Sequence, residues 1–229
     1  MKCGIIIFPG SNCDNDCYHI LKKVLNQETH WLWHKDNANL DSFDLVVLPG
    51  GFSYGDYLRT GCIASKSPII NEVIKHAEKG GLVLGICNGF QILIETGLLP
   101  GALLRNKKLR FISKNVYLKV NNVNNKFCLN YKGKKIIKLP IAHNEGNFFA
   151  QEKILKELED SDLIAFKYCD VNGNTNEASN PNGSSKNIAG ILNVNKNILG
   201  MMPHPERHID PVLSGDDGSF MFESLLKSQ

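Results

Sequence analysis

Three short apolar runs constrain this chain more than any other feature: residues 2–8, 44–48 and 82–86, built on Ile5-Ile6-Ile7, Leu45-Val46-Val47-Leu48 and Leu82-Val83-Leu84. The last two stop at glycine-bearing turns, Pro49-Gly50-Gly51 and Gly85-Ile86-Cys87-Asn88-Gly89, and the first at Pro9-Gly10. Helical patterns separate them. Residues 14–26 place Tyr18, Leu21, Val24 and Leu25 on one face, with Asn12 or Asp14 available as cap. Residues 68–79 open on Pro68, where a missing N–H costs nothing, and end at Gly80-Gly81. A further strand is expected at 29–33, and a short helix from Gly89 to near Gly97. Strands without polar alternation, set between helices, are buried on both faces. The expected fold class is therefore α/β, with a mostly parallel central sheet and helices on both faces.

The second half changes character. Residues 109–139 alternate in period two and are broken by Asn121-Asn122 and Lys132-Gly133, which predicts antiparallel strands or hairpins. A helix at 151–160, strands near 162–168, 187–194 and 197–202, and a helix from about 217 to 227 complete the chain. The polar Asn/Gly/Ser stretch 172–187 is expected to be a loop whose composition reflects bias rather than function. No linker divides the 229 residues, so one domain over 1–229 is expected.

Composition narrows the function classes. Hydrophobic residues make up 42% and charged residues 21%, which excludes a coiled coil, collagen or global disorder. No apolar run reaches the roughly 18 residues of a membrane span, and the N-terminal run is too short for a secretory signal. A cytoplasmic protein without membrane association is expected. Seven cysteines at scattered positions, none in a CxxC pair, argue against a zinc site, and no metal is expected. Between Arg105 and Lys138 stand eleven Lys or Arg residues and no acid, while the rest of the chain carries 15 basic and 23 acidic residues. That segment reads first as a solvated face and second as a docking face for an acidic partner. Nucleic acid is not expected, because Phe111, Tyr117, Phe127 and Tyr131 can fill strand cores.

The sharpest chemical feature is Gly85-x-Cys87-x-Gly89 where a buried strand turns into a helix. A nucleophile on such an elbow sits on a strained turn that leaves no room for a Cβ on either side. The helix N-terminus favours a thiolate, and the N–H of Asn88 is directed to a developing oxyanion. A buried structural cysteine is the plain alternative. Of seven histidines, His204 stands out in Pro203-His204-Pro205-Glu206. Residues before proline are extended, and residues two apart in an extended chain share a side, so Glu206 is expected to hold the imidazole of His204. Gly51, with Gly50 second, ends a strand at the same carboxyl edge and offers a backbone N–H to the oxyanion.

These residues resemble the class I (triad) glutamine amidotransferases. The likeness runs from residue 2 to about 227 and includes Pro9-Gly10-Ser11-Asn12-Cys13-Asp14, Gly50 to Arg59 with its Phe-Ser-Tyr-Gly-Asp core, Cys87-Asn88-Gly89-Phe90-Gln91 and Gly200 to Arg207. It is closest to the glutaminase subunits of phosphoribosylformylglycinamidine synthase. The resemblance implies a flavodoxin-like amidotransferase fold and hydrolysis of L-glutamine by Cys87, His204 and Glu206. It implies ammonia transfer to a large synthetase subunit, with a small bridging subunit in the same complex. ATP and Mg would act on the synthetase, since no Walker A sequence is present here and no cofactor is expected in this chain. Gly50, Phe52, Gln91 and His143 are implied to bind substrate, and 52–59 to shape the pocket or the partner interface. His143-Asn144-Glu145-Gly146 replaces the family's first glycine by Asn144, a residue that tolerates the left-handed region. Competing readings are another elbow-cysteine hydrolase of the same superfamily, a stand-alone glutaminase, and a catalytically silent docking module.

Overall fold

In the computed structural model, residues 1–36 and 38–227 are described. The order along the chain is β1 (Lys2–Ile7), α1 (Asp14–Tyr18), β2 (Glu28–Trp33), β3 (Leu45–Leu48), α2 (Pro68–Glu78), β4 (Leu82–Ile86) and α3 (Asn88–Glu95). Then come β5 (Ala102–Leu104), β6 (Ile112–Val120), β7 (Ile136–His143), β8 (Asn147–Phe149), α4 (Glu152–Asp160), β9 (Ile164–Cys169), β10 (Ile188–Leu192), β11 (Ile198–Met201) and α5 (Ser219–Lys227).

Nine strands form one sheet in the order β2-β1-β3-β4-β11-β10-β9-β6-β7. The first five are mutually parallel. From β11 onward every pairing is antiparallel, so the β-rich second half extends the same sheet. β5 and β8 pair separately. β3 and β4 are buried along their whole length, as their unbroken apolar runs require. β2, at the sheet edge, buries only Thr29 and Leu32, and its exposed Trp31 stacks on Tyr18 at 4.6 Å.

Register decides where the chemistry gathers. Leu48 pairs with Gly85, and Met201 pairs with Ile86. The carboxyl ends of β3, β4 and β11 are therefore level, and the turns that follow them meet. In open α/β sheets that edge is where ligands bind.

Three local readings are corrected. The first helix passes from α1 into a wider π-turn at His19–Val24, which buries Ile20 and Leu21 and leaves Val24 half exposed. No side chain caps its start. β6 and β7 are antiparallel partners, but the residues between them form turns, with Phe127 and Tyr131 buried in the core. No helix among the described residues is long and apolar enough to cross a membrane.

Candidate active site

Cys87 sits at φ +50°, ψ −102°, between β4 and α3. This left-handed backbone is strained for a residue with a side chain, and the neighbouring glycines show what holds it. A Cβ on Gly89 would lie 1.9 Å from the carbonyl oxygen of Leu48, and one on Gly85 would lie 2.8 Å from the backbone of Gly89. The end of β3 and the start of α3 thus press together, and the turn is left no wider path.

His204 follows β11. Its Nδ1–H donates to Oε1 of Glu206 at 2.6 Å, and both side chains are buried. The route to this contact differs from the extended geometry expected: Pro205–Arg207 is a single 3₁₀ turn that curls Glu206 back under the imidazole. With Nδ1 engaged, the buried Nε2 has no hydrogen-bond partner and is the nitrogen left to exchange a proton. Burial alone would lower the basicity of His204, but the Glu206 carboxylate and the Cys87 sulfur overcome it and hold the imidazole well above its usual range. An imidazolium formed there is stabilised. The Cys87 thiol rests against the carbonyl of Ala142, 3.7 Å away.

Cys13, in the turn after β1, lies beside the imidazole. Its sulfur, a ring nitrogen of His204 and a carboxylate oxygen of Glu206 all fall within 4.8 Å of one another. As a metal cage the set fits poorly. The His204 nitrogen and Glu206 oxygen stand 2.6 Å apart, whereas two ligands on a tetrahedral zinc with bonds of about 2.0–2.1 Å need roughly 3.3 Å. They share a proton instead.

A cleft of about 250 Å³ opens in front of Cys87, lined by Gly51, Phe52, Asp56, Thr60, Gln91 and residues 142–145. Gly51 (φ +142°) bridges to Ser11, and a Cβ there would meet the Asn12 nitrogen at 2.8 Å. A Cβ on Gly50 would lie 2.8 Å from Cε1 of His204, so the imidazole rests against that glycine. Phe52 is half exposed at the mouth, 6.5 Å from the ring of Phe111. Gln91 lines the cleft, yet both polar ends of its amide are held: Nε2 donates to Glu145 O at 2.6 Å, and Oε1 accepts from Asn88 Nδ2 at 2.9 Å. Asn88 Oδ1 in turn accepts the N–H of Ser53. The side wall carries two carboxylates. Burial, then the charge of Glu145, pushes Asp56 up to about 6, and Thr60 donates to Glu145 at 2.9 Å.

The structure brings Cys87, His204, Glu206, Gly50, Gly51, Asn88, Gln91, Phe52 and His143 to one edge of the sheet. Asn144 does not adopt a positive φ, so the substitution of asparagine there needs no left-handed turn. Sequence reading passed over Cys13 as an ordinary thiol; its place in the turn after β1 was the available signal. It also passed over Asn106, one asparagine among many, which is fully buried beneath His143. The polar stretch 172–187 is more than bias: Asn182 and Ser184, both buried, donate to the carbonyl of Gly146 and fix the loop that carries His143.

A CobB/CobQ-like glutamine amidotransferase domain matches residues 1–215. The phosphoribosylformylglycinamidine synthase subunit PurQ of Pelagibacter ubique is 57% identical over 228 residues, covering 100% of this chain and 99% of that protein. Its counterpart from Gloeobacter violaceus is 52% identical over 228 residues, covering 100% of this chain and 98% of its own. A chain in the structure of PurLQS from Thermotoga maritima superposes with a TM-score of 0.87 at 40% identity, over 99% of this chain and 98% of that one. With an elbow cysteine and a buried His–Glu pair at the carboxyl edge of its sheet, this chain belongs to the CobB/CobQ-like glutamine amidotransferases and, among them, to the PurQ subunits of phosphoribosylformylglycinamidine synthase.

Proposed function

We infer that this chain is the glutaminase of a phosphoribosylformylglycinamidine synthase and that Cys87, His204 and Glu206 perform the hydrolysis. The observation that carries the reading is the strained Cys87 beside a buried base whose tautomer Glu206 sets. The Cys87 sulfur attacks the side-chain amide carbon of L-glutamine while its proton passes to Nε2 of His204. The N–H groups of Gly51 and Asn88 receive the oxyanion. Collapse breaks the C–N bond, His204 returns the proton to the leaving nitrogen, and ammonia departs from a glutamyl thioester. Water then attacks the thioester with His204 as base, releasing glutamate and restoring the thiol. Asp56 and Glu145 match the α-ammonium group of the amino acid.

Ammonia goes to a large synthetase subunit, bridged by a small one, where ATP and Mg activate the formylglycinamide ribonucleotide. No cofactor acts in this chain, which works as one domain in the cytoplasm. Exposed Phe52, Tyr57, Leu58, Leu109 and Phe111 beside the basic Arg105 to Arg110 stretch supply a docking surface near the cleft mouth. The test is alkylation by diazo-oxo-norleucine followed by peptide mapping, on the isolated chain and on the assembled complex. One adduct on Cys87, blocked by excess glutamine, is expected. Absence of labelling in both preparations returns the chain to a silent docking role.

A further inference from the structure

His143 takes no part in the proton transfers above, yet its surroundings are built with more care than those of any other histidine outside the base. Asn106 Oδ1 accepts from His143 Nδ1 at 3.0 Å and from the N–H of Gly146 at 3.2 Å. Asn106 Nδ2 donates to the carbonyls of His143 and Arg110, each at 2.9 Å. The amide has two acceptor sites and two donor hydrogens, and all four are used. Rotating it by half a turn would set its NH₂ against the N–H of Gly146 and its oxygen against two carbonyls, so its orientation is determined. An oxygen facing Nδ1 requires that Nδ1 carry the hydrogen. Nε2 of His143 is then an obligatory acceptor, and it is buried without a partner. A Cβ on Gly146 would fall 2.3 Å from the imidazole, so the ring packs directly on that glycine and a side chain there would displace it. The residue lines the cleft that holds Cys87.

We propose that His143, positioned by Asn106, reads the amide nitrogen of the substrate: its Nε2 accepts a hydrogen bond from the –NH₂ of glutamine and turns a lone pair toward the carboxylate of glutamate. The site would thus hold the amide and shed the acid, which has no hydrogen to donate at neutral pH. Burial, reinforced by the neighbouring His204, lowers His143 to about 4, so it remains a neutral acceptor throughout the working range. Titratable groups around the ring are His204, which acts on it directly, and the carboxylates of Asp56 and Glu145 that line the same cleft. This inference rests on the glutamine hydrolysis proposed above.

The test uses the assembled complex and three variants, with glutamine and γ-glutamyl methyl ester as alternative substrates. The ester presents the same carbonyl without an N–H. His143→Leu is expected to lower kcat/KM for glutamine by about tenfold or more, the effect of one lost buried hydrogen bond, while the ester changes less than about threefold. The ratio of glutamate Ki to glutamine KM should fall by a similar factor. Asn106→Asp places a carboxylate on Nδ1 and favours the imidazolium. Glutamate inhibition should then strengthen more steeply than in the wild type as pH is lowered from 8 to 6, the titration of Asp56 being common to both. His143→Gln, which keeps an acceptor oxygen, should recover part of the amide preference. Equal losses on amide and ester, or an unchanged Ki/KM ratio in both His143→Leu and Asn106→Asp, overturn the inference and leave the hydrolysis standing. Glutamine hydrolysis persisting in Cys87→Ala overturns the hydrolysis reading itself.

Discussion

The parallel strands and the antiparallel extension of this one sheet build opposite sides of the same cleft by different means. On the parallel side, groups arrive on the turns that end β3, β4 and β11, and level strand ends bring them together. Backbone strain at Cys87 and contacts that exclude a Cβ at Gly85 and Gly89 hold them. On the antiparallel side, His143 ends β7; the side-chain amide of Asn106 holds it directly, and the amide of Asn182 and the hydroxyl of Ser184 hold its loop through the carbonyl of Gly146. The lesson is about tolerance. A strained turn accepts only glycine at its neighbours, so it leaves a motif. A hydrogen-bonded wall can be assembled from many residue orders, so it leaves none.

If the parallel side carries the reaction, the largest effect falls there. Cys87→Ala in the complex should cut glutamine-dependent synthesis by roughly 10⁴-fold or more, with ammonia-dependent synthesis retained, and His204→Ala should cost nearly as much. Retained glutamine turnover in the cysteine variant would reject the assignment. Glu206→Gln should cost less, on the order of 10²-fold, because Glu206 orients and stabilises rather than carries the proton. With the carboxylate gone, burial of His204 is unopposed and its basicity drops. The acid limb of the kcat/KM profile should move to lower pH, and an unmoved limb would sever Glu206 from the base.

Stability separates the two sides next. Gly89→Ala forces a methyl group onto the Leu48 carbonyl. It should lower the urea unfolding free energy by more than about 2 kcal/mol, whereas a wild-type midpoint would mean that the elbow can widen. Asp56 titrates near 6 when folded, against an ordinary 3.8. The folded state therefore binds its proton more tightly than the unfolded chain. This favours folding at low pH, and the advantage is lost as pH rises through about 4 to 6. Asp56→Asn should flatten that slope and raise stability at pH 7, measured as urea midpoints across pH. The smallest effect is expected at the basic segment. Reversing Lys107, Lys108 and Arg110, all exposed, should weaken assembly with the synthetase at low salt and little at high salt. Unchanged affinity at low salt would leave those charges as a solvated face.

The sequence was informative where one physical demand admits few residues. Continuous apolar runs marked β1, β3 and β4, because a strand covered on both faces has no place for a polar residue. Gly-x-Cys-x-Gly marked the elbow. Pro-His-Pro-Glu paired His204 with Glu206, although the pairing is made by a 3₁₀ turn and not by an extended chain. The π-turn after α1 escaped, since one extra residue per turn shifts the helical face without altering composition.

What the residues alone determined is thus the fold class, the family and the elements that present Cys87 and His204, because each follows from local sterics or a short-range pattern. Only the tertiary structure decided the register that levels β3, β4 and β11, the placement of Cys13 beside His204 and Glu206, and the orientation of His143 by Asn106 from 37 positions away. Those depend on contacts between segments distant in sequence, and a saturated amide such as Asn106 looks like any other asparagine until its four partners are in place.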